Sequence, residues 1–597
     1  MIARGEEIPE VDRDAQFPEG IRTRRELTLV MERAAGWSYR LLPSALRPDD
    51  FFRFALLWVA VVSSLTIPAL YVLALRLSRS HVAAFAAAAA YGVSWVSACN
   101  GIRSFVHESF ALPLIAASFA CLAGALDARE KRARLYAAGS ALALAAALSS
   151  WHFTRFYLAS LVLAGLWTAW RLRKDAQSVI GLRLGAAAVA AGAAAAWALD
   201  PVFRGNSGAG EAAAYGHVWA LLFEKLRHGL AKPLDPRLLS QEARLLWLGA
   251  FNSPKPQFAF YALFPMILIA APRAWGHWRK EKAPESAAGS LTDGMLLLYA
   301  VGALMVSRLL PMFAFFLCAA ASRFPERLAR KRLVLAGFAL LAGAEALKSV
   351  APASPLNPFM ALSAAFARTD NELMTSVGSE RQAVAWLRMN GGRKPVLANF
   401  GLSPTFLEYA DSPILLQSKF EAASTRAKTT EFLGALYSDE AAFLAFCRKH
   451  GAAWFVYTPD DILDTTGDGP RYIAGGPRLT NDTAAVRFQF RPDSLKHFRL
   501  AFENDGYRVY AVGEAPRPRG AARTPPIYDL ERYAPETLAD GTLRLDTETA
   551  LTRMRQRREK LRLARLLERL GRRDAALKAY EEAVAAWPDG PRPYLGR

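Results

Sequence analysis

Long uninterrupted apolar runs fill the first part of the chain and are missing from the second. Ten follow one another, at 54–75, 82–98, 109–126, 135–150, 154–170, 179–200, 258–272, 291–306, 309–322 and 333–349. Each approaches the roughly 20 residues that a helix needs to cross a bilayer. One Ala-rich run would equally suit a buried helix of a globular protein, but ten in order predict a polytopic α-helical membrane domain over 51–350. Past residue 350 the pattern shortens. APASPLNP at 351–358 reads as a linker, and 379–392 place Ala383, Val384, Trp386 and Leu387 on one helical face. KPVLAN (394–399) and AWFVY (453–457) read as strands, 430–450 as helical, and 497–512 as a closing strand pair. This alternation predicts a small α/β domain over 351–515. A Pro/Arg-rich linker (516–550) and a helical hairpin (551–597) complete the chain.

Charge sets the topology. Lys and Arg number 74 against 54 Asp and Glu, a net +20. The basic residues gather after every second run: Arg76 and Arg79; Arg129, Lys131, Arg132 and Arg134; Arg171, Arg173 and Lys174; Arg273, Arg279, Lys280 and Lys282; Arg323 to Arg332. The positive-inside rule places those loops in the cytoplasm of an integral inner-membrane protein. Residues 1–50, the loop 201–257 and everything beyond 350 then lie outside. Much of the +20 is therefore topological, and no nucleic-acid partner is called for. An outer 1–50 segment needs a membrane helix ahead of it, or translocation by the first run. Cys99, Cys121, Cys318 and Cys447 are scattered without CxxC or Cys/His spacing, which argues against a disulfide framework or a structural zinc site.

Candidate chemistry gathers at the outer ends of the runs. Asp12 and Asp14, two apart on an extended loop, can meet one divalent ion jointly, although two solvated surface carboxylates would look the same. Arg103-Ser104 and His107-Glu108 precede the third run. An imidazole and a carboxylate at a membrane face are costly without a role, while a helix N-terminus also favours Glu. In Ser150–Tyr157, an interfacial aromatic belt accounts for Trp151 and Tyr157. His152 and Arg155 remain as candidates for a lipid phosphate. Arg308 opens the ninth run, where its fork suits phosphate oxygens or its stem snorkels. Gly205, Gly208 and Gly210 suit a mobile segment in the loop 201–257.

This arrangement resembles the GT-C membrane glycosyltransferases, most closely the catalytic subunit of oligosaccharyltransferase, over about residues 10–460. The resemblance implies a polyprenyl-linked sugar donor, surrounding membrane lipids and a protein acceptor. It implies Asp12, Asp14 and Glu108 as catalytic residues that, with His107, hold a divalent metal, Mn²⁺ or Mg²⁺. It implies Arg308, with Arg103, His152 and Arg155, at the donor phosphate. The family's loop Glu would be Glu211, Glu224 or Glu242, since Ser253-Pro-Lys-Pro-Gln257 holds none. The acceptor-reading Trp-Trp-Asp motif is replaced by Ala398-Asn-Phe-Gly401. Leu563, Ala564, Gly571, Ala576, Tyr580, Ala583 and Pro588 resemble one tetratricopeptide repeat, which implies a protein partner. The activity expected is transfer of a glycan from the lipid-linked donor to an extracytoplasmic acceptor, protein Asn among the candidates. The alternatives are a polyprenyl-phosphate-monosaccharide transferase building a surface glycan, and a non-catalytic scaffold of the same fold.

Overall fold

The computed structural model describes residues 2–199, 213–255, 262–263, 286–323, 332–350, 377–514 and 536–586, except 49, 103–104, 128–131, 421, 465, 505, 545, 547–551 and scattered positions from 553 to 569. Arg103, Glu211, most of the predicted span 258–272 and most of the linker 516–550 lie outside the described residues. The chain forms two compact units. One comprises residues 1–10, 22–212 and 250–367; the other comprises 11–21, 213–249 and 368–597.

The first unit is helical. Among the described residues, four stretches are long and apolar enough to cross a membrane: Phe51–Ser78, His107–Leu126, Ala176–Leu199 and Ala287–Met305. His81–Val93 and Ser307–Ala321 are shorter apolar helices. Two predicted runs are divided. Run 54–75 is two helices, Phe51–Ser64 and Thr66–Ser78, abutting at Leu65. Run 82–98 breaks at Ser94, whose backbone is extended. The Ser94 hydroxyl donates to the Tyr91 carbonyl (2.8 Å) and accepts from the Ser97 N–H (3.1 Å), so it ends one helix and starts the next.

Small residues let these helices approach closely. A Cβ on Gly181 would stand 2.1 Å from the Leu126 carbonyl oxygen, and one on Gly192 would stand 2.7 Å from that of Ala141. Helix Ala176–Leu199 therefore seats against both His107–Leu126 and Ala133–Ser150. Inside the unit, Lys348 and Glu345 of helix Arg332–Val350 form a buried ion pair at 2.6 Å. Glu345 also accepts from the Trp95 N–H at 2.6 Å.

The second unit is built on a four-stranded mixed sheet. Its strands are β1 (Val396–Ala398), β2 (Trp454–Tyr457), β3 (Phe498–Glu503) and β4 (Arg508–Val512), in the order β1-β2-β4-β3. β1 and β2 are parallel, with Leu397 beside Phe455; β4 runs antiparallel to both its neighbours. Every residue of β1 and β2 is buried, as expected of an apolar strand covered on both faces. Rings of Phe443, Phe455, Phe488, Phe498 and Tyr510 pack edge to face on one side. The predicted helical stretch 430–450 is two helices, Ala423–Leu436 and Glu440–Lys449, because the Asp439 carboxylate caps the Ala442 N–H at 2.8 Å. Near the C-terminus, helix Arg573–Ala586 packs Ala576, Ala579 and Tyr580 on Ala564, and the Tyr580 hydroxyl donates to Glu568 at 2.9 Å.

Candidate active site

Four segments distant in sequence converge in the helical unit. Helix His107–Leu126 begins at an extended Val106 and carries Glu108 in its first turn, where the helix dipole favours a carboxylate. Arg308 sits in the 3-10 turn Ser307–Leu309, just ahead of helix Leu310–Ala321, whose Pro311 suits a first turn. The two side chains form an ion pair, both largely buried. The Arg308 guanidinium also lies over the Phe251 ring at 5.4 Å and the Trp151 ring at 5.9 Å. Phe251 is held there by its neighbours. The Ser307 N–H donates to the Asn252 carbonyl (2.9 Å), and the Ser253 hydroxyl donates to the Met305 carbonyl (3.0 Å). The arrangement presents a fixed cationic fork, a carboxylate and two aromatic walls, chemistry suited to a phosphate joined to an apolar chain.

Other predicted residues fall around this pair. His107 Nε2 lies 2.9 Å from a Glu32 carboxylate oxygen and 3.1 Å from the Thr28 carbonyl oxygen. Glu32 was not among the sequence candidates; it sits in the amphipathic helix Val30–Leu41, where a lone acid carries no signal. His152 lies within the aromatic turn Trp151–Phe153, whose rings stand 5.2 Å apart, and Arg155 sits at the start of helix Thr154–Arg171.

Asp12 and Asp14 belong to the other unit. A strap at residues 11–21 extends its sheet: Ala15 bridges Ile414 in parallel, and Ile414 bridges Val396 of β1. The Asp12 carboxylate turns back to accept from the Asp14 N–H at 3.0 Å, and Asp14 faces Arg393 at 3.1 Å. Gln16, 3% exposed, fastens the strap. Its side-chain oxygen accepts from Gln417 (2.8 Å) and Thr425 (2.6 Å), and its nitrogen donates to Ser424 (3.3 Å). Lys428 donates to the Phe17 carbonyl and to Glu19 (2.7 Å). Burial alone would raise the Glu19 carboxyl, but its bond to Lys428 leads the effects that hold it below the ordinary range.

The same unit holds a second acidic group that the sequence reading passed over. Asp460 and Asp461 follow β2, beyond the carboxyl ends of the parallel pair β1 and β2, a common place for ligands in α/β sheets. Asp461 accepts from Asn399, at the end of β1, at 3.5 Å. Burial, reinforced by Asp461 and Asp464, pushes the Asp460 carboxyl up to about 8. Burial raises Asp461 to about 7 against the bond from Asn399. The sequence carries a signal, since an acid pair that follows AWFVY after Thr458-Pro459 has no place in a strand. Of the loop candidates, Glu224 lies 3.3 Å from His228 and Glu242 pairs with Arg426 at 3.8 Å, while Glu211 is outside the described residues.

Asp12 and Asp14 belong to one unit, and His107 and Glu108 to the other. Among the described residues no three His, Cys, Asp or Glu side chains come together at metal-binding distances. Each of the four already faces the partner given above.

An apolar helical unit and a small mixed-sheet unit give this chain a fold like that of an oligosaccharyltransferase. Solved structures similar to this chain include those of oligosaccharyltransferase from the archaeon Archaeoglobus fulgidus, among them AglB. Its complex with an inhibitory peptide and a dolichol-phosphate matches at a TM-score of 0.56, covering 84% of this chain and 74% of that one, at 11% identity. The form tethered to an acceptor peptide containing the NVT sequon matches at 0.52, covering 86% and 68%, at 12% identity. The apo form matches at 0.52, covering 86% and 69%, at 14% identity. No family model and no curated protein matches the sequence.

Proposed function

We propose that the chain is a membrane glycosyltransferase that moves a glycan or sugar from a polyprenyl-(pyro)phosphate-linked donor to an extracytoplasmic acceptor. The observation that carries this reading is the Glu108–Arg308 pair between two aromatic rings, in an oligosaccharyltransferase-like fold. The Arg308 fork takes the donor phosphate in exchange for Glu108. Negative charge grows on the departing phosphate in the transition state, so a cation fixed in advance acts where it lowers the barrier most. Glu108, released from the guanidinium, is the carboxylate that takes a proton from the acceptor. Trp151 and Phe251 keep water from the guanidinium and strengthen its attraction to phosphate. A bound Mn²⁺ or Mg²⁺ would supply Lewis-acid neutralisation of the phosphate, with Asp12, Asp14, Glu108 and His107 as candidates.

Protein Asn is the first acceptor to try, because one relative was solved with an NVT-sequon peptide. The second reading, a monosaccharide transferase building a surface glycan, is favoured by one feature. Asn399 and Asp461 face each other in the sheet unit, next to where the resemblance expects Trp-Trp-Asp.

The deciding assay uses purified protein in liposomes with labelled polyprenyl-linked saccharide, with and without Mn²⁺ or Mg²⁺, and with and without an Asn-x-Ser/Thr peptide. Release only with peptide supports asparagine transfer. Release to another acceptor supports the second reading. Absence of release under every condition overturns both and leaves a scaffold.

A further inference from the structure

In the stretch 213–249 two lysines are turned inward while five large apolar side chains face out. Helix Ala213–His228 buries Lys225 completely, its ammonium 4.9 Å from the centre of the Trp247 ring. Lys232 is turned inward as well. It lies 4.8 Å from the Tyr472 ring centre and donates to the carbonyls of Trp247 (2.7 Å) and Gly467. Meanwhile Phe223 and Leu226 are each 69% exposed and Leu234 is 98% exposed, with Leu230 and Leu238 exposed beside them. A helix in water orients the other way, apolar residues in and lysines out. Burial, added to by the charge of Lys232, pushes the Lys225 ammonium down to about 7.

The outward side chains recur three or four residues apart, at 223, 226, 230, 234 and 238. Exposed arginines, Arg227 and Arg237, stand among them. In sequence the stretch lies between the apolar helix Ala176–Leu199 and the apolar run 258–272.

We propose that Phe223, Leu226, Leu230, Leu234 and Leu238 form a membrane-seated face that enters the outer leaflet, with Arg227 and Arg237 at the level of the lipid phosphates. A protein interface also has a polar rim, so it is the apolar segments on either side of the stretch that favour lipid over a second copy. A lipid interface uses the apolar face and the arginines together, the acyl region taking the Leu and Phe side chains and the headgroups taking the Arg. Between two membrane-bound segments, the stretch is also delivered to that surface without a separate binding step.

The test is site-directed spin labelling of the full chain in nanodiscs of phosphatidylcholine and phosphatidylglycerol. Leu226→Cys, Leu234→Cys and Arg237→Cys are labelled one at a time, with the wild-type chain labelled in parallel to set the background of its four native cysteines. These side chains are exposed, so the substitutions remove no packing. Collision with oxygen, which concentrates in the acyl region, is compared with collision with a water-soluble nickel chelate. The expected result is an oxygen-to-nickel ratio several-fold higher at 226 and 234 than at 237. Nickel access at 226 and 234 equal to that at 237 overturns the proposal, because the face then lies in water. Shielding of 226 and 234 from both reagents also overturns it, because a protein surface then covers them.

Discussion

The Glu108 carboxylate and the Arg308 guanidinium form an ion pair between the first turn of one apolar helix and the short turn that opens another. Neither residue is near the other in sequence, and neither has a second ion-pair partner among the described residues. For a transferase the pair has a definite consequence. Arg308→Ala should reduce turnover by about 10²–10³-fold, the usual loss when one preorganised charge-stabilising donor is removed. Arg308→Lys should recover little of this, because an ammonium lacks the planar fork. Glu108→Gln should act mainly on turnover, with the fold intact by circular dichroism. Wild-type turnover by Arg308→Ala in the liposome assay would rule out a donor-phosphate role.

Gln16 joins the strap to the sheet unit through three side-chain partners in a buried position. Gln16→Ala leaves buried groups of Gln417 and Thr425 with a partner missing, which costs about 1–3 kcal/mol. Amide exchange at residues 11–21 and 414–417 should accelerate, while β4 keeps its protection. Unchanged exchange at Ile414 would show that the backbone bridge alone holds the strap.

Two carboxyls kept protonated near neutrality make the sheet unit sensitive to pH. Between about pH 4, where unfolded carboxyls titrate, and about 8 and 7, where Asp460 and Asp461 titrate when folded, the folded protein binds more protons than the unfolded one. Stability therefore falls as pH rises through that window. Intrinsic-rate-corrected protection of β2 amides should be higher at pH 5 than at pH 8, and Asp460→Asn should flatten the difference.

Gly181 faces the Leu126 carbonyl with no room for a methyl group. Gly181→Ala should destabilise the helical unit by about 1–3 kcal/mol through overpacking. Gly165→Ala, where a Cβ meets nothing within 4 Å, should be neutral. Thermal melts of the two variants in one detergent make the comparison.

Glu345 and Lys348 are buried as a pair, so separating them is worse than removing both. Glu345→Leu alone should cost about 3–5 kcal/mol by stranding a buried ammonium, and adding Lys348→Met should recover much of it. A double-mutant cycle on thermal stability reads the coupling.

What the sequence could disclose follows from how far its signals reach. Apolar period and length marked the helices from 109 to 199, and KPVLAN and AWFVY became the parallel strands β1 and β2. Arg308 and Glu108 were legible because charge at an apolar boundary is costly. The break at Ser94 was hidden, because a hydroxyl capping a helix inside an apolar run leaves the average hydropathy untouched. The strap was hidden for another reason. Gln16 and Ser424 stand 408 positions apart, and a polar side chain that finds its partner only in the folded chain has no local periodicity to betray it.

The strap also counts membrane crossings. Residues 11–21, 213–249 and 368 onward pack into one unit, through Gln16 with Thr425, Gln241 with Thr430 at 3.0 Å, and Arg244 with the Ile473 carbonyl at 2.8 Å. Segments that pack together share one side of a bilayer. For a chain embedded in a bilayer, this packing calls for an even number of crossings between residues 22 and 212, and again between 250 and 367. The ten runs expected from the sequence, six before residue 201 and four after 257, are one count with that parity.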